Sequence, residues 1–113
     1  MSPDDRVRLQ HMVDALTAAS KFVEGRKRSD LDADQMLVFA LVRAVEVIGE
    51  AASRLSSEGR AELNTVPWSN IIGMRNRLVH AYFDVDLNIL WNTVTQALPT
   101  LRAQIRPVLE KPA

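Results

Sequence analysis

The chain has 113 residues, of which 47% are apolar and 25% are charged, so we expect one globular domain with its own core. Cysteine is absent, which excludes disulfides, thiolate metal sites and a cysteine nucleophile. Lysine plus arginine and aspartate plus glutamate number 14 each, and the formal net charge of +0 excludes nucleic-acid binding through bulk charge, so an RNA substrate would need a local basic cluster.

The start of the chain and its apolar runs bear on location. Residues 1–8 are charged and lack the apolar core of a signal peptide. No apolar run approaches the roughly 20 residues that cross a bilayer. We therefore expect a cytoplasmic protein without membrane contact, in which residues 1–113 form a single domain.

A first helix is predicted from about Asp4 to Glu24. Ser2-Pro3-Asp4 is a helix-start signal and Gly25 is a stop signal. His11 has no polar companion at a suggestive spacing and is interpreted as structural, and the charged residues 26–30 predict a solvated turn. The apolar residues recur at helical spacing and predict a buried face: Val7, Leu9, Met12, Val13, Leu16, Phe22 and Val23.

A second helix, from about Asp32 to Leu55, is apolar on nearly all sides. Such a helix is buried on several sides, and a four-helix domain supplies too few neighbours for it, so the pattern indicates that a second copy of the chain covers it. Gly49 lies inside, where glycine costs about 1 kcal/mol relative to alanine, and is interpreted as a point of close helix packing. The apolar residues are Met36, Leu37, Val38, Phe39, Ala40, Leu41, Val42, Ala44, Val45, Val47, Ile48, Ala51 and Ala52.

A third helix is predicted after a polar segment. Ser56 to Val66 is loop-like, although Glu58 to Leu63 could form a short helical turn. Pro67-Trp68 then opens a helix, because proline suits the first turn. This helix is predicted to run to about Val79 or His80.

A fourth helix is predicted from Leu87 to about Leu109, after an N-cap signal at residues 84–86. Pro99 is expected to kink or restart it, because its ring blocks a backbone hydrogen bond. Residues from about 107 to 113 are expected to form a frayed tail. No strand pattern occurs, so the predicted fold is an all-α bundle of four to five helices. The large aromatic residues are assigned to the core rather than to base stacking: Phe39, Trp68, Phe83 and Trp91.

The candidate chemistry clusters in eight residues at a predicted helix end: Arg75, Asn76, Arg77, His80 and Tyr82. Arginine binds phosphate bidentately and keeps its charge, and histidine exchanges a proton near neutral pH. These groups suit attack of a ribose 2′-hydroxyl on its neighbouring phosphate, for which RNA itself supplies the nucleophile. No spacing typical of metal ligands occurs, so no metal is expected. The helix dipole alone also favours arginine and histidine at a helix C-terminus, which is the structural alternative.

Arg75 and His80 would not converge on one straight helix. Residues five apart differ by about 140° around the axis, whereas Arg77 and His80, three apart, share a face. Either the helix unwinds near His80 or the site is composite. A two-fold dimer would place two copies of Arg75 and His80 in one cleft, where one imidazole acts as base and the other as acid.

Glu46 and Glu50 are the remaining candidates. With Arg43 and Arg54 they follow spacings of three and four along the second helix. They either face the cleft and orient the catalytic residues, or form a polar stripe that pairs with its own arginines. Both interpretations stay open.

The pattern Arg75-x-x-x-x-His80-x-Tyr82 resembles the signature of HEPN-domain proteins, specifically the HepT toxins of HepT/MntA toxin–antitoxin systems. The resemblance covers roughly residues 36 to 105. The flanking pieces that share it occur in order: Ile48-Gly49-Glu50-Ala51-Ala52, Pro67-Trp68 with Ile71, Met74-Arg75-Asn76, Tyr82-Phe83, and Trp91 with Leu98-Pro99. Together with the tyrosine they make the motif fairly specific.

This resemblance implies a HEPN-type up-and-down bundle that forms a two-fold homodimer and acts as a metal-independent endoribonuclease without a cofactor. It implies that Arg75 and His80 are catalytic, with Asn76 as a polar support. Arg77 is a further supporting candidate because it belongs to the same cluster. The resemblance also implies a partner in a type VII-like pair, a minimal nucleotidyltransferase antitoxin that silences the nuclease by adenylylating Tyr82.

Two hypotheses for function follow. The first is an RNA-cleaving toxin under antitoxin control, which the intact Arg75, His80 and Tyr82 favour. The second is a non-catalytic helical dimer that binds and positions a nucleotidyltransferase, which the neutral net charge favours slightly. Incubation of the purified protein with RNA separates them.

Overall fold

The structure, a computed structural model, describes residues 1–81 and 84–112. Helices dominate this part of the chain, which confirms the all-α class. The elements in chain order are α1 Pro3–Phe22, α2 Asp30–Ala33, α3 Gln35–Ser53, α4 Ser57–Glu62, α5 Trp68–Ile72, α6 Met74–Leu78, β1 Val79–Ala81, β2 Asp84–Val85, α7 Leu87–Asn92, a π-helical segment Thr93–Ala97 and α8 Leu98–Glu110. Among the described helices, none has the length and apolar character needed to span a membrane.

The core lies where α1 packs along α3, with α8 against α1 and with α5 and α6 against α3. The prediction that Val7 and Phe22 lie on the buried face of α1 is wrong, because Val7 is 50% exposed and Phe22 is 41% exposed. Val7 stands two residues from Leu9, about 200° around the helix, so both cannot face the core. The buried residues of α1 recur at spacings of three and four instead: Leu9, Met12, Leu16 and Ala19.

Side-chain caps define where the helices begin. The extended backbone of Asp34 separates α2 from α3, and its carboxylate accepts the N–H of Leu37 at 3.0 Å. The predicted start near Asp32 is therefore wrong, because a separate short helix precedes α3. Side-chain oxygens cap three further helices in the same way: Ser2 for α1, Ser56 for α4 and Asp86 for α7.

The third predicted helix is broken once and ends early. Gly73 separates α5 from α6, and α6 ends at Leu78 rather than at Val79 or His80. The backbone then extends, and Val79 pairs with Val85 in an antiparallel hairpin. The prediction of no strand is therefore wrong. These strands, of three and two residues, are too short to show the alternation by which a strand is read from sequence.

The fourth predicted helix contains the π-helical segment Thr93–Ala97, and α8 restarts at Leu98 with Pro99 in its first turn. This confirms the expected effect of Pro99, whose nitrogen cannot donate to the preceding turn. The chain stays helical to Glu110, so the prediction of a frayed tail from about residue 107 is wrong for residues 107–110. The guanidinium of Arg6 explains the difference, because it donates to three carbonyl oxygens at this end: those of Val108, Leu109 and Lys111, at 3.3, 3.2 and 3.0 Å.

A buried carboxylate ties the start of α1 to the start of α4. Asp5 is 4% exposed and accepts hydrogen bonds from the backbone N–H and the hydroxyl of Ser56, at 2.9 and 2.5 Å. The hydroxyl bond and then the backbone bond lower the pKa of Asp5 below its ordinary 3.8, against the opposing effect of burial.

We expect Asp5→Ala to lower the free energy of unfolding by about 2–3 kcal/mol, because it removes a buried charged acceptor of two hydrogen bonds from Ser56. Since the folded pKa is depressed, the carboxylate's contribution is present above the unfolded pKa and is lost as pH falls through the folded pKa. Denaturant unfolding of wild type and variant should therefore show a gap that narrows below pH 3.8. A gap that stays constant with pH would contradict this role.

Candidate active site

The residues of the predicted cluster fall on two different elements. Arg75, Asn76 and Arg77 lie on α6, whereas His80 lies in β1, beyond the end of that helix. Of the two routes considered for bringing Arg75 and His80 together, the helix does unwind before His80. Tyr82 lies outside the described residues.

An ion pair connects α6 to α3. The Nε of Arg75 donates to Oε2 of Glu46 at 3.2 Å, and their side chains are 46% and 31% exposed. The close approach of the α5–α6 segment to α3 depends on Gly49, because a Cβ there would lie 3.3 Å from the carbonyl oxygen of Ile72. An ion pair this exposed contributes little stability. Its consequence is geometric, because it restrains the direction of the guanidinium.

Two open grooves meet at this ion pair. The larger, of about 570 Å³, runs between α2, α3 and the hairpin, and the smaller, of about 180 Å³, runs between α3 and α6. Arg75 and Glu46 line both. The other residues of the larger groove are Leu31, Asp32, Ala33, Gln35, Val38, Phe39, Val42, Val79, Asp84, Val85 and Leu87, and those of the smaller are Val45, Gly49, Glu50, Ser53, Ile72 and Asn76.

His80 is exposed and lines neither groove. In the hairpin Val79 pairs with Val85 and Ala81 with Asp84, so His80 is the extra residue of a β-bulge. Bulges re-aim side chains and are over-represented beside active sites. Within one chain, the structure therefore brings Arg75 together with Glu46 and not with His80.

The supporting residues divide in the same way. Asn76 and Glu50 both line the smaller groove, next to the ion pair. Arg77 instead donates from Nη2 to the carbonyl oxygen of Asn70 at 3.0 Å, which anchors α6 to α5. Among the described residues Glu50 forms no ion pair with Arg43 or Arg54, so the polar stripe of α3 is not held together by pairing within itself.

Two exposed apolar side chains of α3 were missed. Phe39 was assigned to the core but is 61% exposed and lines the larger groove, and Met36 nearby is 83% exposed. Phe39, Val42 and Glu46 follow spacings of three and four, which place them on one face of α3. That spacing could have connected Phe39 to the site. Trp68 and Trp91 do pack against the core, and Phe83 lies outside the described residues.

The described residues hold no group of three His, Cys, Asp or Glu side chains that could bind a metal ion. The polar groups that line the two grooves are one guanidinium, which donates hydrogen bonds, carboxylates, which accept them, and two amides and a hydroxyl, which do both. Such an arrangement can hold an anionic group at the guanidinium.

Comparison with known proteins extends over nearly all of the chain. The model of a family described as "Ribonuclease HepT-like" matches residues 12–108. A "Putative RNase" of Caldanaerobacter subterraneus subsp. tengcongensis is 37% identical, covering 91% of this chain and 92% of the relative. Another "Putative RNase", from Methanocaldococcus jannaschii, is 32% identical over 86% of this chain and 92% of its own. The "Probable ribonuclease HepT" of Thermococcus cleftensis is 32% identical over 85% and 87%. No solved structure matches significantly.

Proposed function

Because the chain belongs to the HepT-like ribonuclease family, we propose that it is a metal-independent endoribonuclease. In this reaction the 2′-hydroxyl of a ribose attacks the adjacent phosphorus, the bond to the 5′-oxygen of the next nucleotide breaks, and a 2′,3′-cyclic phosphate remains. One imidazole takes the proton of the 2′-hydroxyl, and another gives a proton to the leaving oxygen.

The observation that carries this proposal is the placement of Arg75. Its Nε is held by Glu46, while the guanidinium stands where two solvent-open grooves meet. The fork of remaining N–H donors matches two phosphate oxygens. A nucleic-acid strand lying along α3 would bring one phosphate to this point.

Cleavage of defined single-stranded RNA by the purified protein in excess EDTA tests the proposal. We expect internal cuts at the same rate with and without the chelator. Cutting that requires added magnesium would contradict the mechanism. RNA left intact under both conditions, beside tight binding of a nucleotidyltransferase, would favour the non-catalytic docking dimer.

The catalytic unit of this proposal is a two-fold homodimer. One chain alone keeps His80 outside the grooves that Arg75 lines. An isologous interface brings the same patch of two subunits together, so that Arg75 and His80 of both chains share one cleft. The exposed Met36 and Phe39, on the same helix as Glu46, supply an apolar patch of the kind that marks protein interfaces.

Light scattering at micromolar concentration should therefore return about twice the 12.7 kDa mass of one chain. Phe39→Glu should shift the protein to single chains and abolish cleavage, because a carboxylate replaces the exposed apolar ring of the patch. Val7→Glu, which replaces another exposed apolar residue away from the patch, is the matched control and should remain dimeric. A 12.7 kDa wild type that still cleaves would contradict the shared cleft.

The regulation proposed here is modification of Tyr82 by a minimal nucleotidyltransferase antitoxin. The phenol oxygen attacks the α-phosphorus of ATP, pyrophosphate leaves, and the phenolic proton passes to solvent. Tyr82 follows His80 by two residues. The attached AMP brings a negative phosphodiester close to the residues proposed to hold the scissile phosphate, so it competes with substrate by charge and bulk.

Co-expression with the cognate nucleotidyltransferase should add AMP to the wild-type chain and silence cleavage, as intact-mass spectrometry and an RNA assay can show. Tyr82→Phe should remain active and carry no adduct, because it lacks the accepting oxygen. Adducts present equally on Tyr82→Phe, or absent from the wild type, would reject Tyr82 as the modification site.

A further inference from the structure

A basic groove lies between α1 and α3, beside the smaller groove that Arg75 and Glu46 line. It has a volume of about 140 Å³ and is open to solvent. His11, interpreted from sequence as structural, is exposed and lines it. The other residues that line it are Arg8, Arg43, Val47, Glu50, Ala51 and Arg54.

The charge of the basic groove is unbalanced. Three guanidinium groups face one carboxylate, that of Glu50. Within residues 1–81 and 84–112, Arg8, Arg43 and Arg54 form no ion pair, whereas four other arginines pair with carboxylates and Arg6, Arg60 and Arg77 donate to carbonyl oxygens. None of the three acids of α1, Asp4, Asp5 and Asp14, lines the groove; Asp5 is bonded to Ser56 and Asp14 accepts from Gln10. The groove therefore carries a surplus of positive charge that no carboxylate among the described residues pairs with.

This groove adjoins the candidate active site. Glu50 lines both the basic groove and the smaller groove at Arg75. Arg43, Val47 and Arg54 recur along α3 at spacings of four and seven, so they form one ridge beside the Glu46 face. An RNA strand that passes Arg75 and crosses α3 at Glu50 would therefore reach the basic groove.

We propose that the basic groove binds the phosphodiester backbone of single-stranded RNA outside the cleavage point, an inference that rests on the proposed ribonuclease function. A chain with a formal net charge of +0 cannot hold RNA through bulk charge. It needs a local cluster of unpaired cations, and this groove supplies one. Guanidinium forks fit phosphate oxygens, and contacts of this kind position the strand without reading its sequence.

Binding of a fluorescently labelled single-stranded RNA of mixed sequence tests the groove. The titration uses the His80→Ala protein, which leaves the RNA uncut, with and without Arg8→Gln and Arg54→Gln together. We expect the double change to weaken binding roughly tenfold, equivalent to about 1.4 kcal/mol. It should also reduce the slope of log affinity against log salt by about 1.4, because each lost phosphate contact on a single strand accounts for about 0.7.

Lys27→Gln with Lys111→Gln is the charge-matched control, because both lysines are exposed and lie outside the basic groove. It should leave affinity and slope nearly unchanged. Equal losses in the control would overturn the proposal, because general charge would then explain them. Unchanged binding of the Arg8 and Arg54 variant, while wild type cuts RNA, would overturn the groove and leave the proposed function standing.

Two further outcomes would show that the basic groove does not bind RNA. If the Arg8 and Arg54 variant loses its dimeric mass in light scattering along with its affinity, the groove is a contact between copies of the chain, and the proposal is wrong. If wild type neither cuts nor binds RNA, the proposed function fails and the groove with it. Retained dimer mass with weakened binding and a shallower salt slope supports the RNA groove.

Discussion

The His80→Ala variant should cut RNA roughly 10²–10⁴-fold more slowly than wild type, the range by which positioned proton transfer accelerates reactions. The larger value is expected if both imidazoles of the dimer take part. His80 is exposed at a β-bulge, so its loss should change the free energy of unfolding by no more than about 0.5 kcal/mol. Initial cleavage rates and thermal unfolding of the same preparations measure both effects.

Thr100→Ala, an exposed change on α8, is the control for handling and purity and should cut at the wild-type rate. His80→Gln separates proton transfer from hydrogen bonding, because an amide can donate a hydrogen bond but cannot exchange a proton at neutral pH. It should be as slow as His80→Ala. A His80→Ala variant that keeps wild-type activity would remove His80 from the mechanism.

The Arg75→Ala variant should lose roughly 10²–10³-fold in rate, comparable to the loss of one preorganised donor to a transition-state oxyanion. Arg75→Lys should recover only part of this loss, because lysine keeps the charge and lacks the fork of donors. Glu46→Gln should fall between Arg75→Lys and wild type, since it leaves the guanidinium in place but weakens the bond to its Nε. Glu46 would then act on the reaction only by positioning Arg75.

A double-mutant cycle separates positioning from a merely structural contribution. Combining Glu46→Gln with Arg75→Ala should add nothing to the loss caused by Arg75→Ala alone, because the two residues then act through one guanidinium. Unfolding of the single variants should differ little from wild type, as expected for an exposed pair. Additive losses in rate would show that Glu46 acts independently of Arg75.

Local patterns were enough to predict much of the helical framework. Ser2 and Asp86 cap helices where the sequence indicated helix starts, and Pro99 restarts the last helix as its chemistry requires. The hairpin was missed because its strands are too short for a periodic signal and because tertiary pairing, not propensity, ends α6 at Leu78. The tail was misjudged because the contact that holds it comes from Arg6, more than 100 residues away.

The candidate site shows the same division. The candidate catalytic residues could be predicted from the sequence because they lie together within residues 75–82. The sequence left both Glu46 and Glu50 open as the residue that orients Arg75, because the contact between α3 and α6 forms only in the folded chain, where α5 packs against Gly49. The basic groove was not foreseen, because Arg8 and Arg54 become neighbours only when α1 packs on α3.

The end groups left on cut RNA distinguish attack by the RNA's own 2′-hydroxyl from attack by water. We expect wild type in excess EDTA to leave 2′,3′-cyclic phosphate and 5′-hydroxyl ends, identified by mass spectrometry of the fragments. A substrate with a single 2′-deoxyribose at the mapped cut should resist cleavage there, because its nucleophile is missing. Fragments with 3′-hydroxyl and 5′-phosphate ends, or normal cutting at the deoxyribose, would contradict attack by the RNA's own hydroxyl and the roles assigned to Arg75 and His80.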